Sequence, residues 1–282
     1  MKRIFEIDPW KVVTHEFKPE EKRLQESMTS IGNEYMGMRG MFEETYSGDT
    51  HKGIYLGGVW YPDKTRVGWW KNGYPEYFGK VINAVDFTKV DIKLNGSSVD
   101  LAKDEFSDFE LALDMKKGIL NRSFIVAKDG QKFRLNFERF VSVAQKELYA
   151  SKITVENLSD TEASVEIRSY IDADVFNEDA NYDEKFWNVL AQNVAETHMS
   201  LTAQTIPNNF GTPQFTTEML ADHVTDLRPM AAETTEKSVI NTFAGQIAAG
   251  QTVTFEKRVI VVTSRDHETQ AALTQAAQTL SQ

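Results

Sequence analysis

The run Val85-Asp-Phe-Thr-Lys-Val-Asp-Ile-Lys-Leu94 alternates apolar and polar residues, slips once at Lys89-Val90, and ends on Asn95-Gly96. Alternation of period two places every second side chain on one face of an extended chain, and Asn-Gly supplies the positive φ values of a two-residue hairpin turn. The pattern recurs along the chain. Phe109–Met115 and Gly118–Ala127 flank a turn at Lys116-Lys117-Gly118. Asp129-Gly130 then leads into Lys132–Val143, where Phe133, Leu135, Phe137, Arg139 and Val141 share a face. Further strands are predicted at Ser98–Leu101, Tyr149–Glu156, Ala163–Ala173, Phe186–Ala195, His198–Thr205, Ser238–Ala244 and Thr252–Thr263. The stretch 205–237 is polar, holds Pro207, Pro213 and Pro229, and reads as long loops with one short strand at Glu218–His223.

So many strands without intervening helical periods predict an all-β fold of two packed antiparallel sheets, since parallel strands need crossover helices. Only the tail, Asp266–Ser281, reads as helical, with Ala271, Ala272, Ala276, Ala277 and Leu280 among good helix formers. No apolar partner for it is visible, so it reads as the start of a linker. The expected division is a sandwich over 1–265 and a helical linker from 266.

With 41% hydrophobic residues, the chain can bury a large core. Its net charge of −11 and lack of a basic cluster argue against nucleic acid and anionic membranes as partners. The absence of cysteine excludes disulfides, thiolate metal sites and thiol catalysis. No apolar run is long enough to cross a bilayer, and MKRIFEIDPW lacks the apolar stretch of a signal peptide. A soluble cytoplasmic protein is the expectation, which makes the sequons at Asn95, Asn121 and Asn157 chance matches.

The acidic stretch Asp172–Asp179 resembles a calcium loop, but Asn177 stands where the sharp turn needs Gly and Asp183 where the bidentate Glu belongs. It reads as a solvated loop at a strand end. The histidines His15, His51, His198, His223 and His267 show no metal-binding spacing, and no G-x-S-x-G elbow occurs. Gly73–Lys80 has the wrong spacing for a phosphate loop. Arg39, set between Gly37 and Gly40, is expected to pair with a nearby acid.

One aromatic set stands out. Trp60, Tyr61, Trp69, Trp70, Tyr74 and Tyr77 are interleaved with Gly, Pro, Asn and Lys, which is loop chemistry. Sugar rings present apolar C–H faces that stack on such side chains, while neighbouring polar groups fix the hydroxyls. The same rings could instead pack against another domain or subunit, or form a satellite core. All three readings stay open at this point.

The segment Glu26-Ser-Met-Thr-Ser-Ile-Gly-Asn-Glu-Tyr-Met-Gly-Met-Arg-Gly40 resembles the opening signature of glycoside hydrolase family 65. Leu113–Arg122, Phe137–Ser142 and Ile171–Asn177 are similar to later blocks of that family, in order. Glu34 stands where the family commonly has Gly, and Lys116 where it has Arg. Within the family, the opening residues and YLGGVWYPD are most similar to maltose phosphorylases.

The resemblance implies a large β-supersandwich of the galactose-mutarotase-like type, followed by a helical linker and a catalytic α/α barrel absent from this chain. It implies a parent reaction in which inorganic phosphate attacks the anomeric carbon of an α-linked glucose disaccharide with inversion, a barrel Glu protonating the leaving oxygen. No catalytic residue, metal or cofactor other than phosphate as co-substrate falls to these residues. The expected partners are the barrel of the same polypeptide, the disaccharide and a second copy of the chain. Two other readings are a freestanding carbohydrate-binding module built on the aromatic loops, and a mutarotase-like enzyme, which would need a His–carboxylate pair on one sheet face.

Overall fold

In a computed structural model, which describes residues 3–65, 73–179 and 184–281, the chain is a two-layer β-sandwich. After β1 (Lys11–Thr14) come a short helix α1 (Lys22–Met28) and three small strands, β2 (Ile31–Gly32), β3 (Met36–Met38) and β4 (Ile54–Leu56). The aromatic segment contributes β5 (Trp60–Lys64) and β6 (Tyr77–Val81), followed by β7 (Val90–Leu94) and β8 (Ser97–Ser98). A meander of long strands follows: β9 (Phe106–Asp114), β10 (Ile119–Lys128), β11 (Gln131–Val141), β12 (Leu148–Asn157) and β13 (Ala163–Asp172). The remainder is β14 (Trp187–Val194), β15 (His198–Thr205), β16 (Thr216–Thr225), β17 (Arg228–Thr234), β18 (Ser238–Ile247), β19 (Thr252–Thr263) and α2 (Gln270–Leu280).

A nine-stranded sheet runs β1-β9-β10-β11-β12-β19-β16-β15-β14 and faces a five-stranded sheet, β17-β18-β13-β7-β8; all named pairings are antiparallel. The turns fall where the sequence signals them. Asn95-Gly96 and Asp129-Gly130 have φ of 51° and 80°, and of 51° and 79°, which are the left-handed pairs of a two-residue hairpin. Gly118 closes the β9–β10 turn at φ 68°, with Asp114 Oδ1 accepting from the Lys116 and Lys117 amides. On β11, Phe133, Leu135, Phe137, Arg139 and Val141 all point into the core, as the alternation requires.

Several expectations need correction. The run from Val85 does not become strand until Val90, because Asp86 Oδ1 accepts from the Thr88 and Lys89 amides and folds the chain into a side-chain-closed turn. The stretch 205–237 is not mainly loop: β16 and β17 form a hairpin there. Helix α1 is a second helix. Helix α2 does have an apolar partner, burying Leu273 and Ala277 on Ile260 and Val262 of the outer face of β19. Among the described residues Arg39 pairs with no acid; its guanidinium donates to the carbonyls of His51 and Arg23 and to the Ser27 hydroxyl.

The opening signature uses a glycine for close packing. Gly32, Gly37 and Gly40 do not have positive φ. A Cβ on Gly40 would lie 1.8 Å from Thr29 Oγ1, so this glycine lets the strand exit press against the end of α1. Glu34, where the family commonly has Gly, is likewise outside the left-handed region and fits without strain.

The signature blocks meet in a buried charge cluster. Arg122 binds both oxygens of Glu44 and reaches Glu43 at 3.2 Å, while Arg139 binds Glu43 at 2.9 Å and the carbonyls of Met41 and Arg39. Phe42 lies between two cations, Lys22 Nζ at 4.1 Å and the Arg122 guanidinium at 3.9 Å from its ring centre. Burial alone would push the Glu43 carboxyl up, but Arg139 and then Arg122 hold it below its ordinary range. Lys22 pairs with Glu26, whose second oxygen accepts from the His51 amide at 2.8 Å. These groups cross-link the N-terminal segment to β10 and β11.

A second buried polar pair faces the core from the middle of the large sheet. His223 and Lys257 are register partners on β16 and β19, exposed by 4% and 0%. His223 Nδ1 lies 2.8 Å from the Thr197 carbonyl and Nε2 2.9 Å from Ser169 Oγ, which fits a neutral ring donating from Nδ1. Lys257 Nζ donates to the Tyr170 carbonyl at 2.6 Å.

Candidate functional site

Trp60, Tyr61 and Tyr77 lie in strands rather than in loops. β5 and β6 form a separate ribbon in which Tyr61 faces Lys80 and Pro62 faces Gly79. Pro62 is tolerated because a two-stranded ribbon has free edges where a missing donor costs little. Gly79 carries no side chain on the face where the Trp60 ring lies, and a Cβ there would sit 3.5 Å from Trp60 Cε3. Trp60 lies nearly parallel to Tyr77, at 6.3 Å and 13°.

The ribbon is covered by the connection between β15 and β16. Tyr77 meets Phe210 at 4.7 Å and Trp60 meets Phe215 at 6.2 Å. Tyr61 packs on Phe186 at 4.9 Å and donates its hydroxyl to the Pro207 carbonyl at 3.0 Å. Between these segments opens a cleft of about 290 Å³, lined among others by Tyr61, Asp63, Glu184, Phe186, Asn208 and Phe210. Lys80 bridges its acids, 2.6 Å from Asp63 and 3.7 Å from Glu184, and lies over the Phe186 ring at 5.5 Å. Burial, and then the charges of Glu184 and Asp63, raises the Tyr61 phenol, which keeps it a hydrogen-bond donor.

Of the six aromatic residues singled out by the sequence, Trp60, Tyr61 and Tyr77 thus converge on one cluster. Tyr74 stands apart, 41% exposed and edge-on to Phe78. Trp69 and Trp70 lie outside the described residues. Sequence reasoning missed Phe186, Phe210, Phe215 and Lys80; the aromatic rings in the proline-bearing stretch after β15 were the available signal. The cleft offers ring faces, carboxylate acceptors and an ammonium donor, which is the chemistry that recognises a hydroxylated ring. A His–carboxylate pair does exist on one sheet face, His198 Nε2 at 3.0 Å from Asp222 Oδ1, but both side chains stand on the solvent side, 63% and 37% exposed.

Residues 12–282 match the family model of the glycosyl hydrolase family 65 N-terminal domain. The chain belongs to this family. It is 46% identical over 279 residues to the maltose phosphorylase of Bacillus subtilis (strain 168), covering 99% of this chain and 36% of that protein. It is 29% identical over 174 residues to the kojibiose phosphorylase of Thermoanaerobacter brockii, covering 60% of this chain and 20% of the relative. Among solved structures, a kojibiose phosphorylase candidate from the human microbiome superposes with a TM-score of 0.88 at 24% identity, over 99% of this chain and 36% of that one. This family 65 N-terminal domain therefore spans about a third of the length of the maltose phosphorylase it matches. Among its described residues, no helix is long and apolar enough to cross a membrane.

Proposed function

We propose that the chain is the noncatalytic N-terminal domain of a cytoplasmic disaccharide phosphorylase, supporting a catalytic α/α barrel and shaping its sugar pocket with the β5–β6 ribbon. The parent reaction is phosphorolysis of maltose: a phosphate oxygen bonds to the anomeric carbon as the glycosidic bond breaks and the leaving oxygen takes a proton. The products are β-glucose 1-phosphate and glucose. Inorganic phosphate is the co-substrate, and a barrel carboxylic acid supplies the proton. The family match and the 46% identity to a maltose phosphorylase support the class of reaction. A second copy of the chain is the proposed assembly partner.

The observation that carries the pocket-shaping role is the cleft beside the ribbon, where Tyr61 and Phe186 present rings beside Asp63, Glu184 and Lys80. In the full-length enzyme, Tyr61→Ala should raise KM for maltose about tenfold, the value of one lost ring contact with its hydrogen bond. The isolated chain carrying the same change should still fold, as circular dichroism would report. An unchanged KM would remove the ribbon from the sugar pocket. The same cleft also suits a freestanding carbohydrate-binding module. Maltose binding by the isolated chain, seen in tryptophan fluorescence and abolished by Tyr61→Ala, would favour that reading.

A further inference from the structure

A second cavity, of about 210 Å³, opens at the end of the sandwich, where the chain after β13 meets the start of β4 and the connection from β6 to β7. Its walls are held by Asn83. That side chain accepts from the Ile54 amide and donates to the carbonyls of Lys52 and Phe176, and its own carbonyl accepts from Trp187 Nε1. Its amide donates to Asn177 Oδ1, which fixes the 172–178 segment as a wall. Asp86 and Asp172, the last residue of β13, exchange backbone hydrogen bonds at 2.8 and 2.9 Å, and beyond them the acidic stretch is a loop at the strand end with Asp174 and Asp179 exposed.

Asp86 is the acceptor this cavity presents. It is 7% exposed, and its Oδ1 is occupied by the Thr88 amide, the Thr88 hydroxyl and the Lys89 amide. Its Oδ2 makes no hydrogen bond among the described residues and lies 3.8 Å from Lys52 Nζ. A carboxylate oxygen that lines a cavity and accepts from no protein donor can accept from a ligand hydroxyl. Lys52 and Lys89 add donors, the latter anchored 2.8 Å from Asp172, and Ile54, Val175 and Phe176 supply apolar wall.

The charge balance selects the ligand class. Four acids (Asp86, Asp172, Asp174, Glu178) against two lysines repel phosphate and other anions, while the lysines disfavour a cation. Interleaved acceptors and donors over an apolar wall suit a neutral ring bearing several hydroxyls. The volume corresponds to about seven waters at ~30 Å³ each, which one sugar ring can displace. We propose that this cavity binds a single neutral, polyhydroxylated ring of monosaccharide size, independently of the aromatic cleft.

The test is a titration of the 282-residue chain with glucose, followed through backbone amide resonances. The amides of Gly53, Ala84 and Phe176 should shift together. Asp86→Asn, which keeps the Oδ1 acceptor, should weaken binding about tenfold, as expected when a charged acceptor becomes neutral. Phe176→Ala, at an exposed position that folding does not need, should weaken it as well. Tyr61→Ala should leave it unchanged, and inorganic phosphate should produce no shift. Absence of shifts at these amides, a response that both Asp86→Asn and Phe176→Ala leave intact, or shifts caused by phosphate would overturn the proposal. Should Asp86→Asn not fold, Phe176→Ala decides.

Discussion

Arg139→Met should destabilise the chain by about 3–5 kcal/mol, the cost of stranding a buried charge by removing its partner. Arg139 is fully buried, and its loss would leave Glu43 with Arg122 alone, which already holds Glu44. Two carbonyls, of Met41 and Arg39, would lose their donor at the same time. Neutralising the stranded acid should return much of the loss, so Arg139→Met with Glu43→Gln should be more stable than Arg139→Met alone. Urea unfolding midpoints for the three proteins measure this. A single variant within about 1 kcal/mol of the native chain would mean that the cluster is not the clamp described here.

Acidification should unfold the chain through His223. Burial first, and then the positive charge of Lys257, depresses its pKa from 6.5 to about 3. Between these values the unfolded chain binds a proton that the folded chain refuses, so stability falls as pH drops from 6.5 towards 3. The full effect is of the order of 4–5 kcal/mol by linkage. Lys257 acts in a higher window: burial lowers its pKa from 10.5 to about 7, so the folded chain sheds its proton first and stability rises between pH 7 and 10.5. His223→Gln should flatten the acid limb and Lys257→Met the alkaline one in unfolding free energies measured across pH. An acid limb of unchanged steepness in His223→Gln would assign acid sensitivity to the carboxylates instead.

These features differ in how far the sequence exposed them. The hairpins at Asn95-Gly96 and Asp129-Gly130 were legible because the turn residues and the flanking alternation specify the same register. β16 was legible only in part because both its faces are covered, the inner one by the core and part of the outer one by α2, which erases the polar alternation. β17 is an exposed edge strand throughout, with Pro229 at a register shift, so it has no apolar face to read. α1 buries Lys22, Gln25 and Glu26 rather than an apolar stripe. The Val/Ile-rich run of β19 did hold the missing clue to α2: Ile260 and Val262 point outward and needed a cover.

The aromatic site was legible as composition and not as geometry. Gly79 and Pro62 look like strand breakers, yet they face each other in the β5–β6 ribbon. Residues brought in from 186, 210 and 215 are joined to the ribbon by tertiary packing alone, which no local pattern encodes.

The central claim is that this family 65 N-terminal domain contributes structure and pocket shape while the chemistry belongs to a partner barrel. The most direct measurement is glucose 1-phosphate formation from maltose and inorganic phosphate by the chain alone. Release no greater than a buffer blank is the predicted result; turnover above it, lost on heat denaturation, would contradict the claim.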